Sequence, residues 1–142
     1  HLVHGPFVQV IFGSEEIQKP FDNFYNARKL EGKFDGISMR VPTVTGSLST
    51  ITFVTPRPTT VEEVNNLFKE AEKENRWKGI LKTTADPIVS TDIIGDPYAA
   101  IVDLSLTRIV DGDLGCVYSW YDNEAGYTYT LVEHVLKVGA LL

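Results

Sequence analysis

Few residues in this chain could do covalent chemistry. Cys116 is the single cysteine. His4 could serve it as a base if the first strand lies beside the one carrying Cys116. A thiol becomes a useful nucleophile when a base or nearby positive charge favours the thiolate. The competing reading is a small side chain in mid-strand. One cysteine makes no intramolecular disulfide and no Cys-based zinc site, and it fits a reducing compartment. His1, His4 and His134 have no spacing that would present two imidazoles to one metal. Phe21, Phe24 and Tyr25 are either core or, if exposed, anchors for a protein partner. Glu62, Glu63, Glu70, Glu72 and Glu74, interleaved with Lys69 and Lys73, read as a solvated helix face.

The elements that must position these residues alternate between α and β patterns, with Pro and Gly as punctuation. Residues 2–12 read as a strand, and Pro6 implies an edge position or a start after residue 6. Residues 14–30 read as helical, ending at Gly32. Strands follow at 34–41 and 48–55. Thr60-Val61-Glu62-Glu63 spells a capping box, with Thr60 accepting from the Glu63 amide and Glu63 reaching back. Val61, Val64, Leu67, Phe68 and Ala71 make the buried stripe of that helix. A short strand is expected at 78–83. Residues 99–110 and 114–121 read as a hairpin turning at Asp111-Gly112-Asp113. On its first arm Ala100, Val102, Leu104 and Leu106 should face the core, with Asp103, Ser105 and Thr107 alternating onto the other face. A last helix should start near Asp122 or Asn123, with Tyr127, Leu131, Val135 and Val138 as its stripe. The expected fold is α+β: a mixed, largely antiparallel sheet with helices packed on one face. Residues 1–142 are expected to form a single domain.

Composition sets outer limits. The chain has 142 residues, 43% hydrophobic, with 19 acids against 13 Lys and Arg and a formal charge of −6. That balance supplies no basic field for nucleic acid, so no nucleic-acid partner is expected. No apolar run approaches the roughly 18 residues of a membrane span, so no membrane partner is expected either. The N-terminus lacks the basic and apolar regions of a secretory signal, and the missing initiator Met suggests a trimmed chain.

The run SWYDNEAGY at 119–127 closely resembles a signature near the C-terminus of glyceraldehyde-3-phosphate dehydrogenase. The resemblance continues through GKFDGISMRVPT (32–43), TTVEEVNNLFKEAEKE (59–74), WKGIL (77–81), PIVSTDIIGDPYA (87–99) and SLTRIVDGDL (105–114), in the family's order. It implies a C-terminal, catalytic-domain fold over 32–142, preceded at 1–31 by a strand and a replaced helical segment. In the family this domain packs on an N-terminal NAD-binding Rossmann domain and makes tetramer contacts through its sheet. By match, Arg40 implies a phosphate contact, for which a guanidinium fork is suited; the alternative is a solvated charge. Asn123 implies a hydrogen bond to the nicotinamide carboxamide, or else a helix cap. Tyr127 implies a neighbour of the nicotinamide, or else core. The family is cytoplasmic.

Other family features have no match. No Gly-rich fingerprint follows a strand, so no cofactor is expected in this chain, although the family uses NAD. The SCTTN-like segment with the nucleophile is not found, Cys116 is not its counterpart, and Ile11 stands where the catalytic histidine would fall. Residues 14–29 replace a long loop. Ala125, Thr50, Cys116, Tyr118 and Tyr129 depart from the family pattern and suggest reworked surfaces, including interface candidates at Tyr118 and Tyr129. Coordinated deletion with scattered substitution suggests an engineered, recombinant protein. The expected role is a scaffold or protein-binding module that binds a protein partner or self-associates through the reworked sheet face. The alternative is an enzyme: a dehydrogenase fragment, or a designed hydrolase using Cys116.

Overall fold

A computed structural model describes residues 6–12 as backbone and residues 34–141. The expected helix at 14–30, with Phe21, Phe24, Tyr25 and Gly32, and also His1 and His4, lie outside the described residues. The described strands are β1 (Pro6–Phe12), β2 (Phe34–Arg40), β3 (Ser47–Val54), β4 (Leu81–Thr84), β5 (Ala100–Asp103), β6 (Arg108–Val110) and β7 (Leu114–Tyr121). They form one sheet in the order β2-β1-β3-β7-β5-β4, with β6 also paired to β7. β1 with β3 and β4 with β5 run parallel, and the other pairings are antiparallel. The fold is α+β, with a mixed and largely antiparallel sheet. β1 is an internal strand, so Pro6 marks its first residue and not an edge, a position where the missing N–H costs little.

Helix α1 (Val61–Lys73) lies on one face of the sheet. Thr60 caps it, its hydroxyl accepting from Glu63 N at 3.1 Å. The reciprocal half of the capping box is missing, because the Glu63 carboxylate is drawn to Arg57 and to the Thr59 hydroxyl instead. The buried seam is narrower than the expected stripe. Val64 and Ala71 are buried with Phe68 packed between them, while Val61 and Leu67 are exposed at the flanks. Phe68 joins two clusters: Ala71, Leu81, Val102 and Leu104 on one side, and Phe53, Val64 and Val117 on the other. Strand register explains the membership, since Ile51 faces Val117 and Thr83 faces Val102 on this same side.

The expected arm at 99–110 is broken into β5 and β6 by a turn, and both pieces pair with β7. Asp103 causes the break. Its carboxylate accepts from Ser105 N at 3.1 Å, Ser105 Oγ at 2.6 Å and Trp120 Nε1 at 3.3 Å. Asp103 lies on the face opposite Val102, together with Trp120, and Asp103 and Thr107 are among the most buried side chains. The turn after β6 does use a left-handed pair, Asp111 at φ 52° and Gly112 at φ 79°.

The second helix, α2 (Ala125–Gly139), starts later than expected, and its predicted stripe is unpacked. Tyr127, Leu131, Val135 and Val138 are all exposed. No helix among the described residues is long and apolar enough to cross a membrane.

One core contact offers a direct stability test. A Cβ on Gly115 would sit 2.3 Å from Cε2 and Cζ of Phe53, which is itself buried between strands and helix. Gly115→Ala should therefore cost about 1–3 kcal/mol through overpacking. Urea denaturation should show a lower midpoint; an unchanged midpoint would mean that Phe53 moves aside freely.

Candidate functional site

One end of the sheet gathers the residues that could bind a ligand. β2 ends there at Arg40, paired with Pro6 at the start of β1. The turn 41–46 leads into β3, whose Ser47 pairs with Tyr121 at the end of β7. Three strand spacings, roughly 14 Å, separate the end of β2 from the end of β7. Loop 85–98 and the first turn of α2 close the same end.

Asp122 ties these segments together. Its Oδ2 accepts from Gly95 N at 2.8 Å, and its Oδ1 accepts from Glu124 N at 2.8 Å and Ala125 N at 3.0 Å. The side chain is buried. Burial by itself would push the carboxyl's pKa up. The N–H groups of Gly95, Ala125 and Glu124, with the Thr45 hydroxyl, outweigh it and hold the carboxyl below its ordinary range. These bonds satisfy the N–H groups of Glu124 and Ala125, which the start of α2 would otherwise leave open.

Asn123 is engaged elsewhere, which corrects the expectation that it caps the helix. Its Oδ1 accepts from Gly46 N at 3.1 Å and from Thr45 Oγ1 at 3.4 Å. A backbone N–H donor settles which end of the amide is oxygen, so the NH2 is the end able to meet an incoming carbonyl. Gly46 suits this contact because its φ is 92° and an added Cβ would meet Ser90 O at 3.1 Å. Gly126, the second residue of α2, lies so close to loop 85–98 that a Cβ would be 2.6 Å from Tyr98 O. The helix start is thus clamped from two sides. Tyr127, the next residue, is 67% exposed, so it is not core.

Cys116 sits away from this end. It pairs with Thr52 and with Arg108, on the face opposite α1. Thr52 Oγ1 lies 3.7 Å from its sulfur. A hydrogen bond to Cys116, then burial, holds the Tyr118 phenol above its ordinary pKa against the opposing pull of Arg108. No imidazole or carboxylate among the described residues bonds to the sulfur, and His4 lies outside them. Among the described residues no cluster of three His, Cys, Asp or Glu could hold a metal. Tyr129, on α2, is exposed.

A family model for the glyceraldehyde 3-phosphate dehydrogenase C-terminal domain matches residues 26–123, which include every described strand but β1 and end at Asn123. The chain belongs to the glyceraldehyde 3-phosphate dehydrogenase family. It is 48% identical over 113 residues to the glyceraldehyde-3-phosphate dehydrogenase of Mycobacterium avium, covering 80% of this chain and 33% of that protein. It is 47% identical over 114 residues to that of Mycobacterium bovis, with the same coverage, and 41% identical over 114 residues to that of Zymomonas mobilis, covering 80% of the chain and 34% of the relative. The chain spans about a third of the length of these relatives.

Within this dehydrogenase-family sheet, Arg40, Asn123 and Tyr127 all come to one end. Ile11 does not join them. It pairs with Asp35, five positions along β1 from the Pro6–Arg40 pair, which is roughly 17 Å and the opposite side of the sheet. The residues that sequence reasoning did not single out for the site are Gly46, Gly126 and Asp122, the last named only as a possible start of the final helix. An Asp three residues ahead of the first helical residue is a signal that could have found it.

Asp122 gives a signed pH prediction. Its folded pKa is lowered, so its stabilisation is fully present above the unfolded value of about 3.9 and fades as pH falls through the folded value. Asp122→Asn should lose about 1.5–3 kcal/mol at neutral pH, and the gap to the parent should narrow below about pH 4. Urea melts at neutral and acid pH measure this; a gap independent of pH would exclude the charged carboxylate as the cause.

Proposed function

We propose that this chain, as a single domain over 1–142, is a protein-binding module of the glyceraldehyde-3-phosphate dehydrogenase type. Its partner is an NAD-binding domain, and the joined assembly carries out NAD-dependent aldehyde oxidation. The observation behind this reading is α2. Its start is clamped by Asp122 and Gly126, yet it exposes Tyr127, Leu131, Val132, Val135, Leu136 and Val138. A helix apolar on most of its circumference calls for burial against another surface. Asn123 would then offer its NH2 to the nicotinamide carboxamide, Tyr127 would flank the ring, and Arg40 would meet a substrate phosphate. The chain itself holds no NAD in this reading, and the thiolate comes with the partner.

Mixing the chain with the remaining two thirds of the Mycobacterium avium relative tests this. A one-to-one complex should form, with slower amide exchange along α2. NADH should appear only in the mixture, when glyceraldehyde 3-phosphate, phosphate and NAD are supplied. Leu131→Asp with Val135→Asp should abolish the complex. Complex formation that ignores those substitutions removes α2 as the docking surface. A complex without NADH leaves the binding role and removes the enzymatic one.

A second reading, self-association through the sheet, has its own support. Ile37 and Met39 are exposed on the outermost strand β2, on the same face as Cys116 and Tyr118. An apolar outer strand invites pairing with another copy. Light scattering on a sizing column should show a discrete dimer that Ile37→Lys with Met39→Lys converts to monomer. A monomeric parent chain excludes this reading.

A further inference from the structure

We infer that Ser47, Ser49 and Ser119 hold one internal water molecule on the α1 face of the sheet. Ser49 and Ser119 are direct cross-strand partners, and Ser47 lies one same-face step along β3 from Ser49. The three hydroxyls therefore crowd one side of the β3–β7 pair. Ser47 is 4% exposed and Ser119 is 8% exposed, and neither hydroxyl has a hydrogen-bond partner. Ser49 is half-buried. The neighbours along the same face are apolar: Ile51 and Val117 on one side and Val102 across β5.

Two buried hydroxyls without partners, beside an apolar cluster, carry an unoffset desolvation cost. No hydrogen bond joins any two of the three, although they are adjacent in register. Cross-strand and diagonal neighbours sit at separations that a single water can bridge. Three hydroxyls supply the two to four partners that a buried water needs. The water also has a structural consequence. Ser47 follows Gly46, whose N–H holds Asn123, so bracing Ser47 steadies the contact that aims the Asn123 amide.

Two measurements test the inference. In the unaltered chain, a water cross-peak to the amides of Ser47 and Ser119, with the sign of a long-lived water, is expected by NMR. Its absence at both amides overturns the inference. Ser47→Ala and Ser119→Ala should each lower the melting temperature by roughly 3–5 °C, and the double variant should be no worse than the worse single, because the first substitution already frees the water. Amide exchange at Gly46 should quicken in both. Single substitutions that raise the melting temperature, with additive effects in the double variant, would show two orphaned hydroxyls and no water.

Discussion

One buried carboxylate organises the end of this molecule where ligand chemistry would take place. Asp122 accepts three backbone N–H groups from two segments far apart in sequence. Each bond to a charged acceptor is worth more than a neutral one, and in a buried setting the loss of one leaves a polar group stranded. The carboxylate fixes where loop 85–98 sits relative to β7, and it sets where α2 begins. Asn123, the next residue, then reaches Gly46 in the turn just ahead of β3. Without Asp122 the strand exit, the loop and the helix start would be three independent ends.

The sheet has two different faces, and the difference follows from register. On the α1 face, Phe53, Val64, Val117, Val102 and Leu104 build an apolar core joined by Phe68. On the other, polar and apolar residues mix: Thr50, Thr52, Cys116, Tyr118 and Trp120 share a side with Asp103. Asp103 tolerates burial because Ser105 and Trp120 satisfy its oxygens. Cys116 belongs to this mixed face, where among the described residues the hydroxyls of Thr52 and Tyr118 meet its sulfur.

Local rules made the framework of the fold legible. Proline and glycine marked β2, β3 and the turn at Asp111-Gly112, and the Thr60 cap placed α1 to the residue. They failed where a side chain's partner is distant in sequence. Simple alternation put Asp103 on the face away from the core but could not show that it is buried there, because alternation contains no information about the Trp120 indole on the neighbouring strand. Helical periodicity made Tyr127, Leu131, Val135 and Val138 a buried stripe, because periodicity shows that a face is apolar and not what covers it. For the site, resemblance in sequence chose Arg40, Asn123 and Tyr127, and the sheet brings all three to one end.

The exposed helix and the clamped carboxylate explain each other. A helix with an uncovered apolar face could lower its free energy by folding back on its own sheet. Here the first turn denies that option. Gly126 is pressed against the Tyr98 carbonyl, and the N–H groups of Glu124 and Ala125 are committed to Asp122. Turning the helix over would break charge-assisted bonds at a buried site to gain contacts along a single face. The bonds win locally, so α2 is held outward in a fixed direction. A fixed direction reduces the ordering cost that a partner must overcome on binding. An apolar helix that is rigid at its root and open along its length is what a docking element requires, and the same clamp that makes it so also positions the Asn123 amide beside it.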